Sequence, residues 1–381
     1  MTQTALVNAH VLTAHGWHDD ATVIVADGVI HAITDPAHIA AGIARHDLSG
    51  RILLPGFIDC QVNGGGGVLF NDEPTVDGIR AIGAAHRRFG TTGFLPTLIS
   101  DAIDKMRVAI AAADAAIADG VPGVLGIHLE GPFISRERKG VHTAKYLHVP
   151  DAAELRLAAS LQRGVTLLTL APECVAPAAI HGLAEAGVIV SAGHSNADYA
   201  TVRASLDAGV RGFTHLYNAM SPLASRAPGV VGAALDDTES WCGVIVDGHH
   251  VDPASLRVAI KAKPRGKVFL VTDAMPPVGA DDPSFVLDGE TITARDGICQ
   301  TASGTLAGSA LDMITAVRNT VRLLGLPLEE AARMASTYPA EFLGLGASHG
   351  RIEAGYHADF TVIDQAMKVT ETWIDGVPQA A

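Results

Sequence analysis

The chain has 381 residues, 27 Lys plus Arg against 41 Asp plus Glu, and 48% hydrophobic residues with 18% charged, a balance that excludes an intrinsically disordered polypeptide. A net charge of −14 with no basic run argues against nucleic acid and anionic membrane surfaces as partners. Apolar stretches fall short of the roughly 18 residues a spanning helix needs, and the start lacks the basic and apolar regions of a signal peptide, so a cytoplasmic location is expected.

Taken in chain order, the first fifty residues alternate β-branched runs with turn signals (ALVNAHVLTA, ATVIVADGVIHAI, HDLSGRILLPG) and read as a small antiparallel sheet. After Pro55 the rhythm becomes strand followed by Ala-rich helix. Strand cores are expected at 56–62, 93–99, 124–129, 165–170, 188–192, 212–216, 242–246 and 268–272. Between them lie TVDGIRAIGAAHRRFG, DAIDKMRVAIAAADAAIADG, DAAELRLAASLQRG and NADYATVRASLDAG, whose apolar residues recur at three and four and whose ends carry Gly. Eight such alternations predict an α/β fold, a (β/α)8 TIM-like barrel. No G-x-G-x-x-G follows the first strand to favour a doubly wound sheet. Hairpin material at 285–304 precedes helices at about 309–324 and 327–343, and the tail returns to short β segments. The expected organisation is a small β-sandwich domain formed from both chain ends, 1–54 and 347–381, around a catalytic barrel at 55–346.

Side chains at the carboxyl ends of barrel strands converge on one mouth. The third strand ends in HLEGP with Glu130, the fifth in SAGHS with His194, the sixth in FTHLYNAM with His215 and the eighth in VTDAM with Asp273. Two imidazoles and one carboxylate from three strands suit a divalent ion with a position left open, and Asp273 is then free to move protons. Taken singly, each has a plainer reading: a structural His, a loop-capping Glu, an N-cap Asp. Four at the same end of four strands favour the catalytic one. Cys60, Cys174, Cys242 and Cys299 form no C-x-x-C pair and read as buried thiols. His128, two residues before Glu130, is expected to pack or support, and Asp59 to support at most.

PGFIDCQVNG, HLEGPF with KGVH downstream, SAGHSNA, THLYNAM with a following Arg226, VDGHHVD, VTDA and GTLAGS occur in this order along essentially the whole chain. The set resembles the N-acetylglucosamine-6-phosphate deacetylase family of the amidohydrolase superfamily. The resemblance implies Glu130, His194 and His215 as metal ligands and Asp273 as catalytic acid/base. It further implies His142, Asn218, Ala219, Arg226 and His250 as contacts of the sugar phosphate, with Leu306, Ala307 and Gly308 along the substrate. His249, beside His250, is the alternative contact. A homodimer is implied, in which Arg226 or His250 serves a neighbouring subunit's site.

Where many amidohydrolases carry H-x-H at the end of the first strand, this chain has Gln61 and Asn63. Amides are poor zinc ligands beside imidazole, so one divalent metal ion per subunit is expected, zinc first, with iron or another divalent ion also compatible. Gln61 and Asn63 either orient water or substrate or fill the mouth with hydrogen bonds. The reaction implied is hydrolysis of the N-acetyl amide of N-acetyl-D-glucosamine 6-phosphate, with charge on the carbonyl stabilised by the metal, by His142 or by both. Two rivals stand beside it: another amidohydrolase, such as a deaminase or a different acyl-sugar amidase, and a non-catalytic barrel used for binding.

Overall fold

The computed structural model describes residues 3–295 and 297–381; Met1, Thr2 and Asp296, at the start of the expected small domain and within the expected hairpin, lie outside them. Eight parallel strands form the central sheet: Phe57–Val62, Thr91–Ile99, Gly126–Glu130, Val165–Leu170, Ile189–Ala192, Val210–Phe213, Trp241–Val244 and Val268–Leu270. Each pairs with its neighbours in sequence, in the order of the chain. We refer to them as barrel strands one to eight.

Strand eight is short, and side chains help to close the ring. Val62 and Ala274 form a single parallel bridge, and the Asp273 N–H donates to the Gln61 carbonyl at 3.0 Å. The Asp59 carboxylate then accepts from the Thr272 hydroxyl at 2.5 Å and from the Thr272 N–H at 3.2 Å. Asp59 thus joins strand one to strand eight, the supporting position expected of it. Burial pushes its carboxyl up to about 7 despite these donors.

Several helices begin where the sequence provides a side-chain cap. Thr75 caps Val76–Arg87, Asp151 closes a capping box on Ala152–Ala158, and Asp198, Asp252 and Asp312 cap later helices. The expected helix at 327–343 is two: Leu328–Ala335 and Thr337–Phe342 meet at Ser336, whose φ of −133° and ψ of −70° leave helical geometry. The expected helix at 309–324 begins only at Met313, because Leu306–Ser309 is a strand.

That strand belongs to a four-stranded antiparallel sheet, Ser284–Leu287, Glu290–Arg295, Ile298–Gln300 and Leu306–Ser309. It covers a small apolar cluster of Leu69, Met275, Phe285, Ile292, Cys299 and Ala307. The hairpin material thus extends a few residues further than the sequence implied, and it is anchored to the mouth: Ser309 N–H donates to the Asp273 carbonyl and Met275 N–H to the Ser309 carbonyl, both at 2.9 Å.

The chain ends meet in one eight-stranded sheet that runs from Val377–Ala380 through Phe360–Ile363 and Ala44–Pro55 to Gln3–Thr13 and Val29–Thr34. It encloses its own core of Leu6, Val11, Val23, Leu53, Phe360 and Trp373. The N-terminal part is not purely antiparallel as the turn signals implied: Gln3–Thr13 pairs in parallel with Ala44–Pro55. The reason is that the intervening hairpin, Thr22–Ala26 with Val29–Thr34, takes the other edge of the first strand.

Candidate active site

Glu130 is the last residue of strand three; His194 and His215 lie just beyond strands five and six, and Asp273 beyond strand eight. The last three turn out of their strands with φ of 47°, 34° and 54°, a conformation that costs L-residues energy and concentrates where function demands it. All four are buried or nearly so and line one cavity of about 360 Å³.

Glu130 Oε1 lies 3.2 Å from His194 Nε2 and 3.0 Å from His215 Nε2, and the two Nε2 atoms are 3.0 Å apart. The protonation pattern shows that hydrogen bonds alone do not account for this cluster. His194 Nδ1 donates to the Arg138 carbonyl at 2.8 Å, so in the neutral ring Nε2 carries a lone pair. A lone pair facing a carboxylate oxygen is a donor set waiting for a cation. Three ligand atoms of this kind fit a divalent ion. Burial alone would raise the Glu130 carboxyl, but the two imidazoles of His194 and His215 beside it hold it well below the usual carboxylate range. For His215 burial pulls downward, and the Glu130 hydrogen bond outweighs it, raising the imidazole.

Gln61 and Asn63 occupy the places of the missing imidazoles. Gln61 Nε2 donates to Glu130 Oε1 at 3.2 Å and to Asp273 Oδ1 at 3.0 Å, and Asn63 Nδ2 donates to the same Asp273 oxygen at 2.7 Å. Both amides therefore fix the acid rather than add ligands. Burial, reinforced by the Glu130 charge, pushes the Asp273 carboxyl up to about 6. His128 has both ring nitrogens on hydroxyls, Thr97 at 3.2 Å and Thr169 at 2.8 Å, which leaves none for a metal.

His142 lines the same cavity, its ring 4.4 Å from that of His194. The Ser100 backbone N–H donates to its Nδ1 at 3.2 Å, and the Ser100 hydroxyl is 2.7 Å from the same atom. The neutral ring must then carry its proton on Nε2, and burial keeps it neutral, down to about 3. His250 also lines the cavity; its Nδ1 is held by Asp247 at 2.6 Å, while the His249 side chain is exposed. Asn218, Ala219, Leu306 and Gly308 line it too. Ala307 faces the other way, into the apolar cluster beneath the hairpin sheet, as alternation along a strand requires. Arg226 sits on the exposed stretch 222–227, outside the cavity lining.

Ser100, Arg138 and Asp247, which orient His142, His194 and His250, did not stand out in the sequence. Two signals were available: Ser100 follows strand two as Asp273 follows strand eight, and Asp247 precedes His250 by one turn.

Residues 52–378 match the model of the amidohydrolase family and residues 4–53 that of the NagA composite domain. The chain is 44% identical over 372 residues to N-acetylgalactosamine-6-phosphate deacetylase of Shewanella sp. (strain ANA-3), covering 97% of this chain and 94% of that one. Among solved structures, N-acetylglucosamine-6-phosphate deacetylase from Pasteurella multocida superposes with a TM-score of 0.96 at 37% identity, covering both chains fully. A mutant of N-acetyl-D-glucosamine-6-phosphate deacetylase from Mycobacterium smegmatis, solved in complex with N-acetyl-D-glucosamine-6-phosphate, gives 0.92 at 32%, again over both full chains. A barrel mouth with a Glu–His–His cation cradle, a terminal sheet built from both chain ends and sequence kinship over the whole length lead to one conclusion: the chain belongs to the amidohydrolase family, in the branch that carries the NagA composite domain.

Proposed function

We propose that the protein hydrolyses the acetamido group of an N-acetylhexosamine 6-phosphate, releasing acetate and the free amino sugar phosphate. The observation that carries this reading is Asp273 in one cavity with the Glu130–His194–His215 cradle. Glu130, His194 and His215 would hold one divalent ion at the mouth of each barrel, zinc by preference for two imidazoles and a carboxylate. When bound, such an ion supplies Lewis acidity to water and to the acetyl carbonyl.

Asp273 takes the proton of the attacking water and returns it to the departing nitrogen. Gln61 and Asn63 pin its Oδ1, which leaves Oδ2 to exchange the proton. The His142 Nε2–H donates to the acetyl oxygen as charge develops there. His250 and Asn218 meet the sugar phosphate beside the Ala219 backbone, and the Leu306–Gly308 strand lies along the sugar. Arg226, exposed and outside its own chain's cavity, reaches the phosphate of a neighbouring subunit in a homodimer.

The glucosamine epimer is our reading from the sequence motifs. The 44% identity to a galactosamine-type deacetylase favours a second reading, the 4-epimer. Acetate release from each 6-phosphate decides between them, through the ratio of kcat/KM values. Turnover of neither, with turnover of unphosphorylated sugars or bases, overturns the assignment.

A further inference from the structure

At the opposite end of the barrel the terminal sheet meets the loops that lead into strands two and three. A cleft of about 220 Å³ opens there, lined by Thr92, Pro122, Gly123, His349, His357 and Asp359. One ring nitrogen from each imidazole and a carboxylate oxygen of Asp359 lie within 4.8 Å of one another. The rings stack at 4.2 Å between centroids and 19° between planes.

Each imidazole is oriented from behind. His357 Nδ1 is held by Asp375 Oδ1 at 2.7 Å, and His349 Nδ1 by the Ser348 hydroxyl at 2.8 Å. Nε2 is therefore the open nitrogen on both rings. A carboxylate or hydroxyl on one nitrogen, with the other left open, is the usual support of a metal-binding His. Asp359 is fixed the same way: its Oδ1 accepts from the Asp375 N–H at 2.8 Å and its carbonyl from the Gly56 N–H at 2.9 Å.

The structure assigns to His349, His357 and Asp359 a second metal site, for a divalent transition-metal ion of the zinc type, with a fourth position open to the cleft. Two imidazoles and one carboxylate are a sufficient donor set. The site is separate from the mouth: Val124, which lines the cleft just before strand three begins, lies six residues before Glu130 at that strand's end, roughly 20 Å at strand rise. One ion cannot serve both. An ion here would clamp the returning C-terminal segment, since Ser348, His349, His357 and Asp359 lie in the stretch that leads into Phe360–Ile363 and Asp375 immediately follows the next strand, Val369–Ile374.

The test is zinc stoichiometry. Full-length protein stripped with a chelator, re-equilibrated with Zn²⁺ and desalted is expected to retain about two ions per chain, and the double variant His349→Gln/His357→Gln about one, with hydrolytic activity unchanged. Equal zinc content in the wild type and the variant overturns the proposal, whether or not the mouth retains its ion. Because a misfolded variant would also lose zinc, anomalous scattering from crystals of the zinc-loaded wild type gives an independent measurement. A peak at bonding distance from His349, His357 and Asp359 supports the site, and its absence there overturns it. Both readouts stand whatever the sugar substrate proves to be.

Discussion

The two ends of the barrel carry the same donor set, two imidazoles and a carboxylate, assembled in different ways. At the mouth, Glu130, His194 and His215 come from three strands spread over 86 residues, are buried, and share one cavity with Asp273. At the seam, His349, His357 and Asp359 come from a single turn of 11 residues and are half-buried. The mouth also holds what the seam lacks, a second acid oriented by two amides and a neutral imidazole with its N–H free. Ligands alone make a cation site; chemistry needs a proton carrier and a charge stabiliser fixed beside them.

The comparison is broken most directly at Asp273. Asp273→Asn keeps the shape and the amide contacts but cannot carry the proton. We expect kcat to fall by about three to four orders of magnitude with zinc at the mouth retained; a near-normal rate removes Asp273 from its role. Next in size is His142→Ala, for which the loss of one donor to the developing oxyanion predicts a fall of about 10²–10³ in kcat with little change in KM. A change confined to KM would make His142 a binding residue only.

Gly308 sharpens the comparison from the hairpin side. Its φ is +60°, and a Cβ there would stand 2.6 Å from Met275 Cγ and 2.8 Å from the Asp273 carbonyl. Gly308→Ala should displace the Asp273 loop and lower kcat/KM about ten- to a hundred-fold, which steady-state kinetics at fixed zinc would measure. Unchanged kinetics would show that the hairpin sheet does not position the acid.

The mildest effect leaves the neutral-pH rate untouched. His86, fully buried with its Nε2 2.9 Å from the Gly64 carbonyl, is pushed by burial from 6.5 to about 4. The folded state then binds fewer protons than the unfolded chain between these values, so its contribution to stability is complete above 6.5 and fades as pH falls through 4. By pH 5 this amounts to about 2 kcal/mol. Thermal unfolding followed from pH 7 to 5 should therefore be less pH-dependent in His86→Leu than in the wild type, and equal slopes would refute the assignment.

Much of the mouth was legible in the sequence because strand ends are one-dimensional markers. An apolar run that stops at Glu, His or Asp places that side chain at the carboxyl rim, and eight runs fix a barrel without knowledge of any contact. Leu306–Ser309 was not legible as a strand, since a Gly-rich segment has little β propensity of its own and pairs only because Ile298–Gln300 and the Asp273 loop offer partners. The two faces of that strand decided the rest: Leu306 and Gly308 turn to the cavity and Ala307 to the apolar cluster.

The amino-acid sequence by itself determined the barrel, the terminal β portions and the four residues at the rim, because alternation, capping and strand punctuation are local properties of the chain. Only the tertiary structure decided the ring orientation of His142 and His194, the pinning of Asp273 by Gln61 and Asn63, the parallel pairing of Gln3–Thr13 with Ala44–Pro55 and the meeting of His349 with His357 and Asp359. Each of these depends on a hydrogen-bond partner or a packing neighbour whose position the local sequence pattern does not encode; the partner sets which nitrogen keeps its proton, and burial weighs on which carboxylate holds its charge.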